Sequence, residues 1–193
     1  MNTKRGLAYG IGVNEYDGVI KINGVHIPSY TSWISMLSRC YGKQQKRDIS
    51  YVGCSVCDDW LHFSTFKEWY DKHHVNGYVL DKDLICRGNR VYSPQNCCFV
   101  PPEINTLLLN CKRNRGLYPV GVTLKDGKYR ARLRMYGKDV PLGRYDSIEE
   151  AFNVYKIHKE SYIKEVATKY YNHGKITKRV YDALIKYEVS IED

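Results

Sequence analysis

The stretch KYRARLRMY, residues 128–136, constrains this chain more than any other. Arg130, Arg132 and Arg134 stand two apart. A helix would scatter them around its circumference. A strand alternates faces, so all three project to one side, while Tyr129, Ala131, Leu133 and Met135 take the other. The second set is apolar enough to pack on a helix. Three aligned guanidiniums repel one another, and sharing one sheet face makes physical sense when phosphates or guanine edges lie opposite. Lys125, Lys128, Lys138 and Arg144 are expected to flank that face.

Charge distribution points the same way. The formal net charge is +9, and residues 112–145 alone hold ten basic and two acidic side chains. Residues 1–111 hold twelve and ten, and residues 146–193 hold eight and nine. A solubilising charge would be scattered. One concentrated segment is the mark of a polyanion partner, nucleic acid before membrane. Arg113 and Arg115 fall in this segment and join the candidate DNA contacts. No run approaches the roughly 18 apolar residues of a membrane span. The opening MNTKRGLAYGIGV lacks a signal-peptide core, so a cytoplasmic protein is expected. Seven cysteines, an odd number, argue for reduced thiols rather than a disulfide framework. The eighteen tyrosines suit both small cores and polar interfaces.

The remaining pattern predicts an α+β fold. GVIKINGVHIP reads as a hairpin around Asn23-Gly24. SYTSWISMLSRCYGK reads as a helix capped by Ser29 or Thr31 and stopped by Gly42, with Trp33, Met36, Leu37, Cys40 and Tyr41 on its buried stripe. VCDDWLHFSTFKEWYDKHH reads as a second helix with Asp58 or Asp59 at its N-cap and Trp60, Phe63, Phe66 and Tyr70 inward. A strand over 78–85, a loop holding Gly88-Asn89, a short strand near 96–100 and a helix opened by Pro101-Pro102 follow. Three antiparallel strands with turns at Asp126-Gly127 and Gly137 lead into a long helix. Its capping box pairs Ser147 with Glu150, and its expected buried face is Ala151, Val154, Tyr155, His158, Tyr162 and Val166. A last helix covers KRVYDALIKYE. The expected domains are residues 1–110, a basic linker at 111–117, a sheet domain at 118–171 and a terminal helix within 172–193.

Two segments resemble known families. GVTLKDGKYRARLRMYGKDVPLGRYDSIEEAFNVY resembles the APETALA-type (ethylene-response-factor) DNA-binding domain, versions of which occur in phage and mobile-element nucleases. The resemblance covers about residues 118–170. It implies a three-stranded sheet laid in the DNA major groove and backed by the helix, with Arg130, Arg132, Arg134 and Arg144 as DNA contacts. The base-reading tryptophans of the plant domain are absent, and Tyr118 and Tyr136 are the nearest aromatics.

LDKDLICRGNRVYSPQNCCFVPPEIN resembles the strand–strand–helix hairpin of HNH nucleases. That family holds one divalent metal, here expected to be magnesium or manganese, and uses a strand histidine to activate water. The resemblance makes Asn96 the loop asparagine, Asn105 the helix residue, and Asp81 or Asp83 the acidic group, with Asp81, Asp83 and Asn105 as metal ligands. The family's histidine is missing, because Lys82 or Asp83 stands in its place. His73 and His74 are the nearest histidines and the candidate bases. A lysine between two aspartates has its charged form favoured and makes a poor base.

Three readings stay open: a live metal site with a substitute base, a catalytically inactive hairpin that positions DNA, and an accidental likeness. Cys54 and Cys57 make a lone Cys-x-x-Cys, half of a zinc site, and buried small hydrophobes are the commoner outcome for such residues. The sequence as a whole is expected to belong to a sequence-directed, metal-dependent DNA endonuclease or nickase of phage or mobile-element type. The alternative is an inactive DNA-binding regulator or anti-defence protein on the same frame, and the partner in either case is double-stranded DNA.

Overall fold

The computed structural model describes residues 6–43, 45, 49–109 and 117–192. Arg113, Arg115 and all of the expected linker but Leu117 lie outside the described residues. The fold is α+β. The chain forms two compact units, Met1–Val100 and Pro101–Asp193, so the first ends before the expected boundary at residue 110.

The first unit begins with the expected hairpin. Strands β1 (Lys21–Ile22) and β2 (Val25–His26) pair antiparallel around Asn23 and Gly24, both at positive φ. Two left-handed residues make the turn that matches strand twist. Helix α1 (Pro28–Tyr41) follows and ends at Gly42. Its opening differs from expectation. Ile27 is the N-cap without a side-chain bond, and Pro28 occupies the first turn, where its missing N–H costs nothing. Ser29 is buried inside the helix rather than capping it.

The second expected helix is two. Helices α2 (Asp58–Leu61) and α3 (Phe63–His73) meet at His62. The cause lies far away in sequence. Val13 forms a parallel bridge with His62, donating its N–H to the Leu61 carbonyl and accepting from the Phe63 N–H. The N-terminal segment thus takes over two backbone groups at the break. The N-cap of α2 is Cys57, which places Asp58 and Asp59 in the first turn, at the positive end of the helix.

The predicted aromatic stripes do form the core. Trp33, Trp60, Phe63 and Phe66 are fully buried, with Met36, Leu37 and Cys40 around them. The Trp33 indole donates to the Trp60 carbonyl at 2.8 Å and ties α1 to α2.

Strands β4 (Val79–Asp81) and β6 (Cys98–Val100) pair antiparallel, so the hairpin frame is present. The first strand stops short of the expected residue 85, because the Asp81 carboxylate captures the N–H groups of Asp83 and Leu84 and turns the chain. Inside the hairpin, β5 (Val91–Tyr92) runs parallel to β3 (Ser55–Val56), a pairing too short to show any periodicity.

The second unit opens with α4 (Pro102–Leu107), as the two prolines predict. Strands β7 (Val122–Lys125), β8 (Lys128–Met135) and β9 (Lys138–Tyr145) form an antiparallel sheet with β8 central. Helix α5 (Ile148–Asn172) lies across one face. Ser147 accepts from the Glu150 N–H, half of the expected capping box. Gly121, just ahead of β7, has φ +79, and a Cβ there would sit 2.1 Å from the Tyr155 ring. Only glycine fits that close approach.

The buried face of α5 is wider than expected. Phe152, Ile163 and Ala167 join Ala151, Tyr155, Tyr162 and Val166 inside, whereas Val154 is only half-buried and His158 is exposed. The sheet is not the only neighbour of α5. Helix α6 (Lys178–Ile185) packs on it too and buries Val180 and Leu184.

Candidate functional site

The strand register sorts the basic side chains. On β8, Ala131 and Leu133 are buried and Tyr129 and Met135 half-buried, while Arg132 and Arg134 are exposed. Arg130 lies opposite Thr123 on β7 and Arg144 on β9. Residues directly opposite share a face, so Arg130, Arg132, Arg134 and Arg144 form one array, with Lys125 and Lys128 beside it.

Lys138 was expected in this array and is not in it. A bulge interrupts the β8–β9 ladder. Ala131 pairs with Gly143 but Arg132 pairs with Pro141, which leaves Leu142 as an extra residue. Beyond it the strand's alternation reverses. Arg144 shares the arginine face, yet Val140, of the same parity, lies opposite buried Leu133. Lys138 lies opposite Met135, in register with the helix-facing set.

The array is unevenly neutralised. Arg130 is half-buried and its Nη2 donates to Asp126 Oδ2 at 2.6 Å. Its Nε is buried and has no hydrogen-bond partner among the described residues. Lys128 pairs with Asp146. Arg132, Arg134 and Arg144 are exposed and have no ion-pair partner among the described residues. Arg130 and Arg144 face each other directly, a like-charge pair that costs stability unless an anion comes between.

The hairpin of the first unit is the opposite case, for its polar groups are turned on one another. Asp81 Oδ1 accepts from Asp83 N at 3.0 Å and Leu84 N at 2.7 Å. Lys82 is buried; its Nζ lies 3.1 Å from Asp83 Oδ2 and donates to the Asn89 carbonyl at 3.3 Å. Asn89 is the hub. Its Nδ2 donates to the carbonyls of Lys82 and Val91, and its Oδ1 accepts from Val91 N and from Asn96 Nδ2. Sequence reasoning placed Asn89 only as a loop residue. The Gly88-Asn89 pair between two short strands is the signal that marks such a residue.

Burial, and next the charge of Asp83, push the Asp81 carboxyl above the usual range; the two N–H bonds and Lys82 pull against them. Oδ2 of Asp81 and Oδ1 of Asp83 have no hydrogen bond among the described residues. Oxygen donors of this kind suit a hard divalent cation that keeps most of its waters. Asn105 belongs to the second unit, on α4, and is half-buried. Among the described residues no three His, Cys, Asp or Glu side chains converge as a metal-holding group.

Neither candidate histidine hydrogen-bonds to Asp81, Asp83 or Asn96 among the described residues. His73 stacks on Trp69, and its Nδ1 donates to the Trp69 carbonyl at 2.7 Å, which leaves Nε2 as the free nitrogen. His74 stacks on Tyr70 and meets Phe99 edge-on. Burial holds its pKa below the ordinary histidine value.

Cys54 is buried with its Sγ directed at the Ser50 carbonyl, and Cys57 is half-buried with its thiol pKa raised by burial. Zinc needs thiolates, and burial opposes that form at Cys57. The six described cysteines are free thiols. No described helix is long and apolar enough to cross a membrane. No family model, curated protein or solved structure matches the chain.

Proposed function

We propose that the protein binds double-stranded DNA through the outer face of the β7–β8–β9 sheet. The observation that carries this reading is the array of exposed Arg132, Arg134 and Arg144 without ion-pair partners among the described residues, set beside Arg130 on one sheet face. Three strands spaced about 4.8 Å apart are about 10 Å across. A B-form major groove about 12 Å wide admits them. The narrow major groove of duplex RNA does not. Binding measured over a salt series tests the reading: with about four phosphates neutralised, affinity falls steeply between low and moderate salt. A flat response, or equal competition by duplex RNA, sinks it.

A second reading rests on the β4–β6 hairpin. Its antiparallel frame, with Asp81 and Asp83 at its end and Asn96 in its loop, supports a metal-dependent nicking activity of HNH type. Magnesium or manganese would be held by Asp81 and Asp83 and would supply Lewis-acid stabilisation of the phosphate. The protein's own part is to orient the carboxylates through the Asp81 turn and the Asn89 hub. His73 Nε2 is the candidate proton acceptor. Incubation of supercoiled DNA with magnesium, manganese or chelator separates the readings: metal-dependent nicks lost in Asp83→Ala make this an enzyme, and tight binding without nicks makes it a binder on an inactive hairpin. In both, the working place is the cytoplasm of a bacterial or phage-infected cell.

A further inference from the structure

The four arginines of the sheet face are not equivalent, and the difference assigns them different work. Arg132, Arg134 and Arg144 are exposed and have no partner carboxylate among the described residues, so each is free to follow a phosphate. Arg130 is held. It lies on the central strand between Thr123 and Arg144, its side chain is 22% exposed, and Asp126 grips one end of its guanidinium at 2.6 Å. Asp126 stands in a tight turn: with Gly127 it joins β7 to β8, at φ 54 and 72, which places its Cα two residues ahead of β8's first basic side chain and its carboxylate within reach of Arg130.

We infer that Arg130 reads a guanine in the bound DNA and that Asp126 is the positioning residue that aims it. The inference rests on the DNA-binding reading. A guanidinium recognises guanine through two parallel N–H bonds to O6 and N7, which needs its plane held in one orientation. A mobile arginine loses more side-chain entropy on ordering and discriminates less. Asp126 orders the fork before DNA arrives. A pure phosphate contact gains nothing from an aspartate beside it, since that charge repels the backbone.

The test is selection of duplexes from a randomised pool by the full-length protein. The affinity for the selected site is then compared with that for mixed-sequence DNA. Wild type is expected to select a guanine at one position. Asp126→Asn keeps the turn, because asparagine before glycine is a favoured pair there, and a melting curve confirms the fold. It is expected to lower the ratio of selected-site to mixed-sequence affinity about tenfold and to relax the preference at that position alone. Arg130→Lys, which keeps the charge and loses the fork, is expected to relax the same position. An unchanged preference in Asp126→Asn alongside a loss in Arg130→Lys would overturn the positioning role and leave a turn staple. Selection without any guanine dependent on Arg130 would overturn the assignment while DNA binding stands. No binding of any duplex by wild type would remove the DNA reading itself.

Discussion

The sheet of the second unit and the hairpin loop of the first are both rich in charged and polar residues and use them in opposite ways. Around Asp81, Lys82, Asp83, Asn89 and Asn96 most groups bond to one another or to the backbone of the same loop, and Asp81 Oδ2 and Asp83 Oδ1 are what is left over. On the sheet, three arginines project without an ion-pair partner among the described residues. A satisfied network stabilises its own loop and has little left to offer a partner. An unsatisfied, like-charged array costs its own unit and gains only when an anion arrives. Surplus of polar capacity, more than its amount, separates a surface built for a ligand from one built for the fold.

The sharpest way to break this comparison is to remove the surplus. Arg132→Ala with Arg134→Ala is expected to weaken DNA binding by about 2–4 kcal/mol and to flatten the salt dependence by about two counterions, read from binding isotherms at several salt concentrations. Its urea midpoint should not fall. A loss of stability instead would mean that the arginines hold the sheet.

The converse change goes to the hub of the hairpin. Asn89→Ala is expected to cost the first unit about 1–3 kcal/mol, since it removes four hydrogen bonds that hold the loop, while DNA binding by the sheet stays as it was. Denaturant melts beside binding curves show both sides.

A smaller effect is expected at Asp81. Its folded pKa is raised above its unfolded value. Its contribution to stability is therefore fully present below the unfolded pKa and lost as pH rises through the folded one. Asp81→Asn keeps an oxygen for the two N–H groups and cannot ionise. The variant is expected to match or exceed wild-type stability near neutral pH, with the difference vanishing toward about pH 4. Any metal-dependent nicking should disappear with it. Nicking that survives would take Asp81 out of the metal site.

The smallest contrast is between two lysines. Lys125→Ala, on the arginine face, is expected to lower the salt slope by about one, and Lys138→Ala to leave it. Equal effects would mean that the bulge does not hold in solution.

That last pair also shows what could be read from the sequence. Local signals were legible: Asn23-Gly24 for a hairpin, Ser147 for a helix start, and the alternation of β8 for its two faces. Signals that depend on a distant partner were not. The bulge at Leu142 exists only between two strands; unbroken alternation along β9 puts Lys138 on the arginine face, and the register puts it on the other. The His62 break needs Val13, and no periodicity in α2 and α3 announces it. At the hairpin, the order of motif residues was visible. The spending of their hydrogen bonds on one another was not, because spacing does not say which way a side chain turns.

The Val13 bridge carries a consequence for synthesis. The segment around Val13 leaves the ribosome early, yet its hydrogen-bond partners are Leu61 and Phe63. At about 5–20 residues per second, it waits for seconds with those groups still unmade. The first unit therefore cannot close from its N-terminus forward. The bridge forms only once Phe63 has emerged, and the core waits longer still, for Tyr92 and Cys97.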